Sequence, residues 1–135
     1  MITHRCLFCI LTSPEGIADG SLYVMTEFSY SPLDPFAVTL TFLGSQNVAW
    51  RLSRDILDAG LQGPAGDGDV RVWSGCWPVG GMFLRLRSPD GQAMFAMPRQ
   101  EVSDFLDRTY ALVPRGAESP FVDVDSWVSR IVEQQ

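Results

Sequence analysis

Apolar and polar positions alternate along most of the first hundred residues and change period only toward the C-terminal end. Phe36 to Leu43 places Val38, Leu40 and Phe42 on one face and Thr39 and Thr41 on the other, the two-residue period of a half-buried strand. Val48 to Leu52 repeats it, with Val48, Trp50 and Leu52 opposite Ala49 and Arg51, and Gly44 to Asn47 reads as the hairpin loop between the two. Leu22 to Tyr30 is a further apolar and aromatic strand, and the short apolar run Cys6 to Leu11 is another. Pattern resumes at Asp69, and Met82 to Arg87 pairs with Gln92 to Met97 across Pro89-Asp90-Gly91, where Asp-Gly signals a tight turn. Gln62 to Gly68, rich in Gly and Pro, is expected to be loop.

Helical signals are fewer. Ser53 is placed as an N-cap, with Asp55 in the first turn and Ile56 and Leu57 opening an apolar face that Gly60 would stop. Pro98 suits a first helical position, and Val102, Phe105, Leu106, Thr109 and Leu112 follow helical spacing until Pro114-Arg115-Gly116. Beyond it, Asp123 is a second N-cap, Val122 and Trp127 are spaced as a hydrophobic staple, and Val124, Trp127, Val128, Ile131 and Val132 form one stripe that is expected to close over the sheet. The fold class is therefore α+β over residues 1–135 as one domain, with antiparallel β-sheets of about seven strands, a short mid-chain helix and two C-terminal helices.

Composition narrows what such a domain can do. Hydrophobic residues make up 46% and charged residues 19%, which describes a packed globular chain. The net charge of −6 opposes phosphate backbones and anionic membrane surfaces except where a local patch overrides it. All ten basic residues are arginine, so Schiff-base chemistry, a Walker lysine and a lysine general base are excluded. Histidine occurs once, at His4, which confines any Ser-His-Asp or Cys-His site to the N-terminus and rules out a His-rich metal cluster. The run Cys6 to Leu11 is too short for a signal-peptide core and no small-x-small cleavage site follows it. No apolar stretch approaches the roughly 18 residues of a membrane span, so a soluble cytoplasmic protein is expected.

Two sequence clusters invite chemistry. Cys6 and Cys9 form C-x-x-C, and with His4 and Cys76 they would make a tetrahedral zinc set, but on a strand residues three apart point to opposite faces, and buried structural cysteines are the default. No metal or other cofactor is expected. In Gly66 to Trp73, Gly-Asp-Gly-Asp-Val-Arg-Val-Trp, a calcium loop starting at Asp67 would have Arg71 at its fifth position, Val72 where glycine belongs and Pro78 where the bidentate Glu is needed. Asp67 and Asp69 read as solvated turn residues leading into a strand, with Gly66 and Gly68 supplying turn geometry.

That strand carries the candidate site. If Val70 and Val72 face the core, Arg71 and Trp73 face away, and in the following hairpin Phe83, Arg85 and Arg87 oppose Met82, Leu84 and Leu86 in the same way. Arginines and aromatics on one surface suit single-stranded nucleic acid, a protein interface, or no partner at all. Trp77, in the loop from Ser74 to Gly81, is an additional contact candidate.

The segments DPFAVTLTF from Asp34, VAWRLSRDILDAGL from Val48, GDGDVRVW from Gly66, SPDGQA from Ser88, FLDRTYALVPRGAES from Phe105 and VDVDSWVSRIV from Val122 together resemble the SsgA-like family of sporulation and cell-division regulators of filamentous actinobacteria. The resemblance runs from Asp34 to the end in order, while MITHRCLFCIL and the Ser74–Gly81 loop depart from it. It implies a non-enzymatic regulator that helps recruit or position the tubulin-like division GTPase FtsZ at septum sites, together with other SsgA-like proteins and with only indirect membrane contact. It further implies a Whirly-like fold and a homotrimer, and it supplies no catalytic residues. A Whirly-like single-stranded nucleic-acid-binding role stands as the alternative.

Overall fold

The structure, a computed structural model, describes residues 1–14, 16–17, 22–75 and 81–118. Its strands are β1 (Ile2–Ser13), β2 (Gly16–Ile17), β3 (Tyr23–Tyr30), β4 (Ala37–Phe42), β5 (Val48–Ser53), β6 (Ala65–Asp67), β7 (Val70–Gly75), β8 (Gly81–Ser88) and β9 (Gly91–Pro98). Two helices accompany them, α1 (Arg54–Gly60) and α2 (Arg99–Leu112). The strands join into one antiparallel sheet of order β5-β4-β3-β1-β9-β8-β7-β6, with β2 paired to β1. The N-terminal strand is thus central, flanked by β3 and β9.

Nine strands are described where about seven are expected. Part of the difference lies in the stretch expected to be loop: Ala65–Asp67 pairs with Val70–Val72, Asp67 opposite Val70, so that only Gly68 and Asp69 form the turn. Gly68 takes φ +62, the left-handed geometry a two-residue hairpin demands. Gly66 lies within the strand, not in the turn. A strand three residues long, two of them Gly and Asp, has no apolar alternation to betray it.

Alternation elsewhere sets the inner face. Phe8, Phe28, Leu40, Leu84 and Val72 are fully buried, and Phe8 packs edge-on to Phe28 (5.7 Å) and Phe42 (6.1 Å), while Phe42 stacks on Phe95 (4.8 Å). Each such side chain contributes on the order of 1.5–3 kcal/mol by leaving water. Helix α2 covers one end of this face through Val102, Phe105 and Leu106, with the Phe105 ring 5.3 Å from Phe28.

Helix α1 starts as expected, the Ser53 side chain accepting a hydrogen bond from the Ile56 N–H at 3.2 Å. Gly60 is its last residue, but the left-handed stop is not used: a Cβ there would lie 2.6 Å from Val72 Cγ1, so glycine lets the helix sit directly on β7. In α2, Pro98 is the N-cap and not the first helical residue, because it still belongs to β9. Leu112 is 40% exposed instead of joining the apolar face; the chain turns extended at Val113, which is buried in its place. The second C-terminal helix, expected from Asp123, lies outside the described residues.

Arg54 locks these pieces together. At 1% exposure it donates to the carbonyl oxygens of Thr109 (3.2 Å) and Val113 (2.8 Å) and to Glu118 Oε1 (2.8 Å). Its guanidinium lies 4.2 Å from the Tyr110 ring centre and 5.2 Å from that of Tyr30. One α1 side chain therefore satisfies carbonyls at the end of α2 and holds the chain that follows.

Candidate functional site

The outer face of the sheet divides in two. Toward β4 and β5 it is polar and its arginines are paired: Arg5 Nε lies 2.7 Å from Glu27, and Arg51 reaches both Asp34 oxygens at 2.6 and 2.8 Å. Toward the opposite side, register alone builds a cross-strand row, Trp73 opposite Phe83, Phe83 opposite Ala96, Ala96 opposite Cys9 and Cys9 opposite Tyr23. Leu7 and Met25 face each other in the next position outward, 53% and 39% exposed, and Tyr23 is 60% exposed. This apolar band continues the candidate surface onto β1 and β3. Leu7, Tyr23 and Met25 were not singled out from the sequence, although the unbroken apolar run from Cys6 to Leu11 is the signal that both faces of β1 are apolar.

The expected arginine and aromatic residues of β7 and β8 do come together. Val72 is fully buried and Val70 packs against the core, which turns Arg71 and Trp73 outward. The Trp73 and Phe83 rings stack at 5.6 Å and 24°. Arg71 stands directly opposite Arg85, and Arg87 opposite Gln92. Among the described residues none of these three arginines has a carboxylate partner, and the Nε of Arg85 is sealed from solvent with no hydrogen-bond acceptor. A cavity of about 290 Å³ lies between Arg71, Arg85 and the β6–β7 hairpin, with Pro64, Gly66 and Asp67 also on its wall. Trp77 falls outside the described residues.

The cysteines take different places. Alternation along β1 puts His4 and Cys6 on the inner face, where Cys6 is buried, and Cys9 on the outer one; Cys76 lies outside the described residues. The set His4, Cys6, Cys9 and Cys76 is therefore not assembled by β1. Instead His4 Nε2 lies 2.9 Å from Glu101 Oε1 in the first turn of α2, and donor atoms of His4, Cys6 and Glu101 fall within 4.8 Å of one another. These three are the side chains that would hold a metal. The Cys6 thiol is pushed up to about 12, by burial first and by the Glu101 carboxylate second, so it stays protonated at neutral pH and is a poor nucleophile. Asp67 and Asp69 are exposed at the β6–β7 turn.

A second cavity, about 380 Å³ and mainly apolar, opens at the end of the inner face that α2 leaves uncovered, between Ile10, Val24, Phe42, Trp50, Leu86 and Phe95. Among the described residues, no helix is long and apolar enough to cross a membrane.

A curled antiparallel sheet presenting charge and aromatic area on its outer face defines a contact surface. The comparisons with known proteins agree on its family. Residues 24–118 match the family model described as "Streptomyces sporulation and cell division protein, SsgA". The chain is 42% identical over 127 residues to the sporulation-specific cell division protein SsgB of Salinispora tropica, covering 90% of this chain and 87% of that protein. It is 38% identical over 120 residues to SsgB of Streptomyces coelicolor, with 87% and 88% covered. A crystal structure of an SsgA-like sporulation-specific cell division protein from Thermobifida fusca superposes with a TM-score of 0.80 at 31% identity, covering 96% of this chain and 93% of that one. The chain belongs to the SsgA family of sporulation and cell division proteins.

Proposed function

We propose that this protein is a non-enzymatic regulator of sporulation-specific cell division, working in the cytoplasm at the septum by helping to recruit or position the division GTPase FtsZ. The observation that carries the reading is the outer sheet face, where Arg71, Arg85 and Arg87, without a carboxylate partner among the described residues, stand beside stacked Trp73 and Phe83. Exposed arginine and aromatic area is what protein interfaces are enriched in. Family membership supplies the process in which the partner works. The same reading includes a Whirly-like homotrimer, contact with other SsgA-like proteins, membrane association only through partners, and Trp77 as a further contact residue.

Co-sedimentation with polymers of the cognate FtsZ, run with GTP and with GDP, tests the proposal. Pelleting that requires GTP, normalised to polymer mass, is the expected result. Neither pelleting nor any change in polymer mass would reject direct contact.

A further inference from the structure

On this same sheet, two other arginines come with carboxylates. Arg5 meets Glu27 and Arg51 meets Asp34. Arg71 and Arg85 do the reverse: they face each other across β7 and β8, a like-charge pair that opposes strand pairing, and no described carboxylate relieves it. In a chain of net charge −6, three neighbouring arginines with no carboxylate partner among the described residues are set up for an anion from outside.

We propose that the outer face of β7 and β8 is a docking site for an acidic peptide segment of a partner protein, one with an aromatic side chain among its carboxylates. Arg71 and Arg85, side by side across β7 and β8, take the carboxylates. Arg87 extends the cationic strip one step along β8, and the stacked Trp73 and Phe83 rings form the platform for the aromatic residue. A nucleic-acid strand fits less well. Three arginines are few against the charge density of such a polymer, whereas they match the handful of carboxylates a short acidic segment carries.

The proposal deepens the contact reading above and rests on it for the existence of a protein partner. The probe is a random glutamate–tyrosine copolymer, titrated into the full chain at low and at physiological ionic strength, with oligothymidylate of similar length in parallel. Tight, salt-weakened binding of the copolymer is expected, reduced about tenfold or more in the double variant Arg71→Glu/Arg87→Glu. Both replaced side chains are exposed, so the variant should keep its fold, to be checked by circular dichroism. Arg5→Glu, on the paired part of the same sheet, should leave affinity unchanged.

No copolymer binding, or binding the double variant retains, overturns the site. So does oligothymidylate binding more tightly through the same arginines, which would assign the face to nucleic acid. Running the FtsZ sedimentation on the same proteins separates the two readings. Copolymer binding by a chain that does not pellet with FtsZ ends the recruitment reading and leaves the acidic-peptide site standing. FtsZ pelleting unaffected by loss of the site leaves recruitment to another surface.

Discussion

Two arginine sites on opposite sides of one sheet differ in what surrounds them. On the inner side Arg54 is enclosed by two tyrosine rings, two backbone carbonyls and Glu118, and its two terminal nitrogens have acceptors. On the outer side Arg85 faces another arginine and has no described carboxylate, although its Nε is just as sealed from water. A buried cation whose two terminal nitrogens both find acceptors organises structure, even with its Nε left without one as in Arg85, since removing it takes hydrogen bonds from several polar groups at once. A cation half out of solvent, opposed by its own kind and left without an anion, adds nothing to folding. The difference separates arginines that build the domain from those available for contact.

The largest effect expected on this comparison comes from Arg54→Met. It leaves the Val113 carbonyl without its side-chain donor and takes the guanidinium from the Thr109 carbonyl and the Glu118 carboxylate, and urea denaturation should show a loss of about 3–5 kcal/mol. Stability within 1 kcal/mol of wild type, to the nearest order, would mean the cage is dispensable. Gly60→Ala comes next, because the added Cβ meets Val72 and forces α1 away from β7; about 1–3 kcal/mol should be lost in the same assay.

Acid should act more weakly and only on the inner site. Glu118 is held below its ordinary carboxylate value, first by its own backbone N–H and then by Arg54. A lowered folded-state value means its stabilisation is complete above the unfolded value and disappears as pH falls through the folded one. The difference in urea midpoint between wild type and Arg54→Met should therefore narrow as pH drops below the usual carboxylate range; a constant difference would remove Glu118 from the cage.

The smallest effect has the opposite sign. Arg71→Thr relieves the like-charge pair with Arg85 and introduces a good strand former, so stability should rise by about 0.2–1 kcal/mol while any binding on this face weakens. A clear loss of stability would show that Arg71 serves the fold after all.

Much of this architecture is visible in the residue order. The alternation of Val38, Leu40 and Phe42 with threonines, and of Met82, Leu84 and Leu86 with Phe83, Arg85 and Arg87, identifies inner and outer faces correctly, since a strand's side chains can point only two ways. The Ser53 cap is legible for a similar reason, a local hydrogen bond between residues three apart. Strand β6 is not legible: Ala65–Asp67 exists through backbone pairing to β7, and backbone groups leave no mark in the residue types. Leu112 fits the helical period and misses the core because the helix ends at that point.

The candidate site divides along the same line. That Arg71, Trp73, Phe83, Arg85 and Arg87 share a face follows from the two-residue period once the strands are placed. That Arg71 meets Arg85, that Trp73 stacks on Phe83 and that Tyr23, Leu7 and Met25 extend the surface depends on strand order and register.

Sequence by itself determined which side of β4, β5, β7 and β8 faces out, where α1 begins, which catalytic chemistries have no residues to run them, and a resemblance to the family in which the chain belongs. Tertiary structure decided that β1 is central, that His4 meets Glu101 and not Cys9, that Arg54 closes the junction of α1 and α2, and which arginines have a carboxylate partner among the described residues. The physical reason is range. Periodicity and capping are set by neighbours a few residues apart, whereas Arg54 and Glu118, or His4 and Glu101, are separated by 64 and 97 residues and meet only once the sheet has closed around its core.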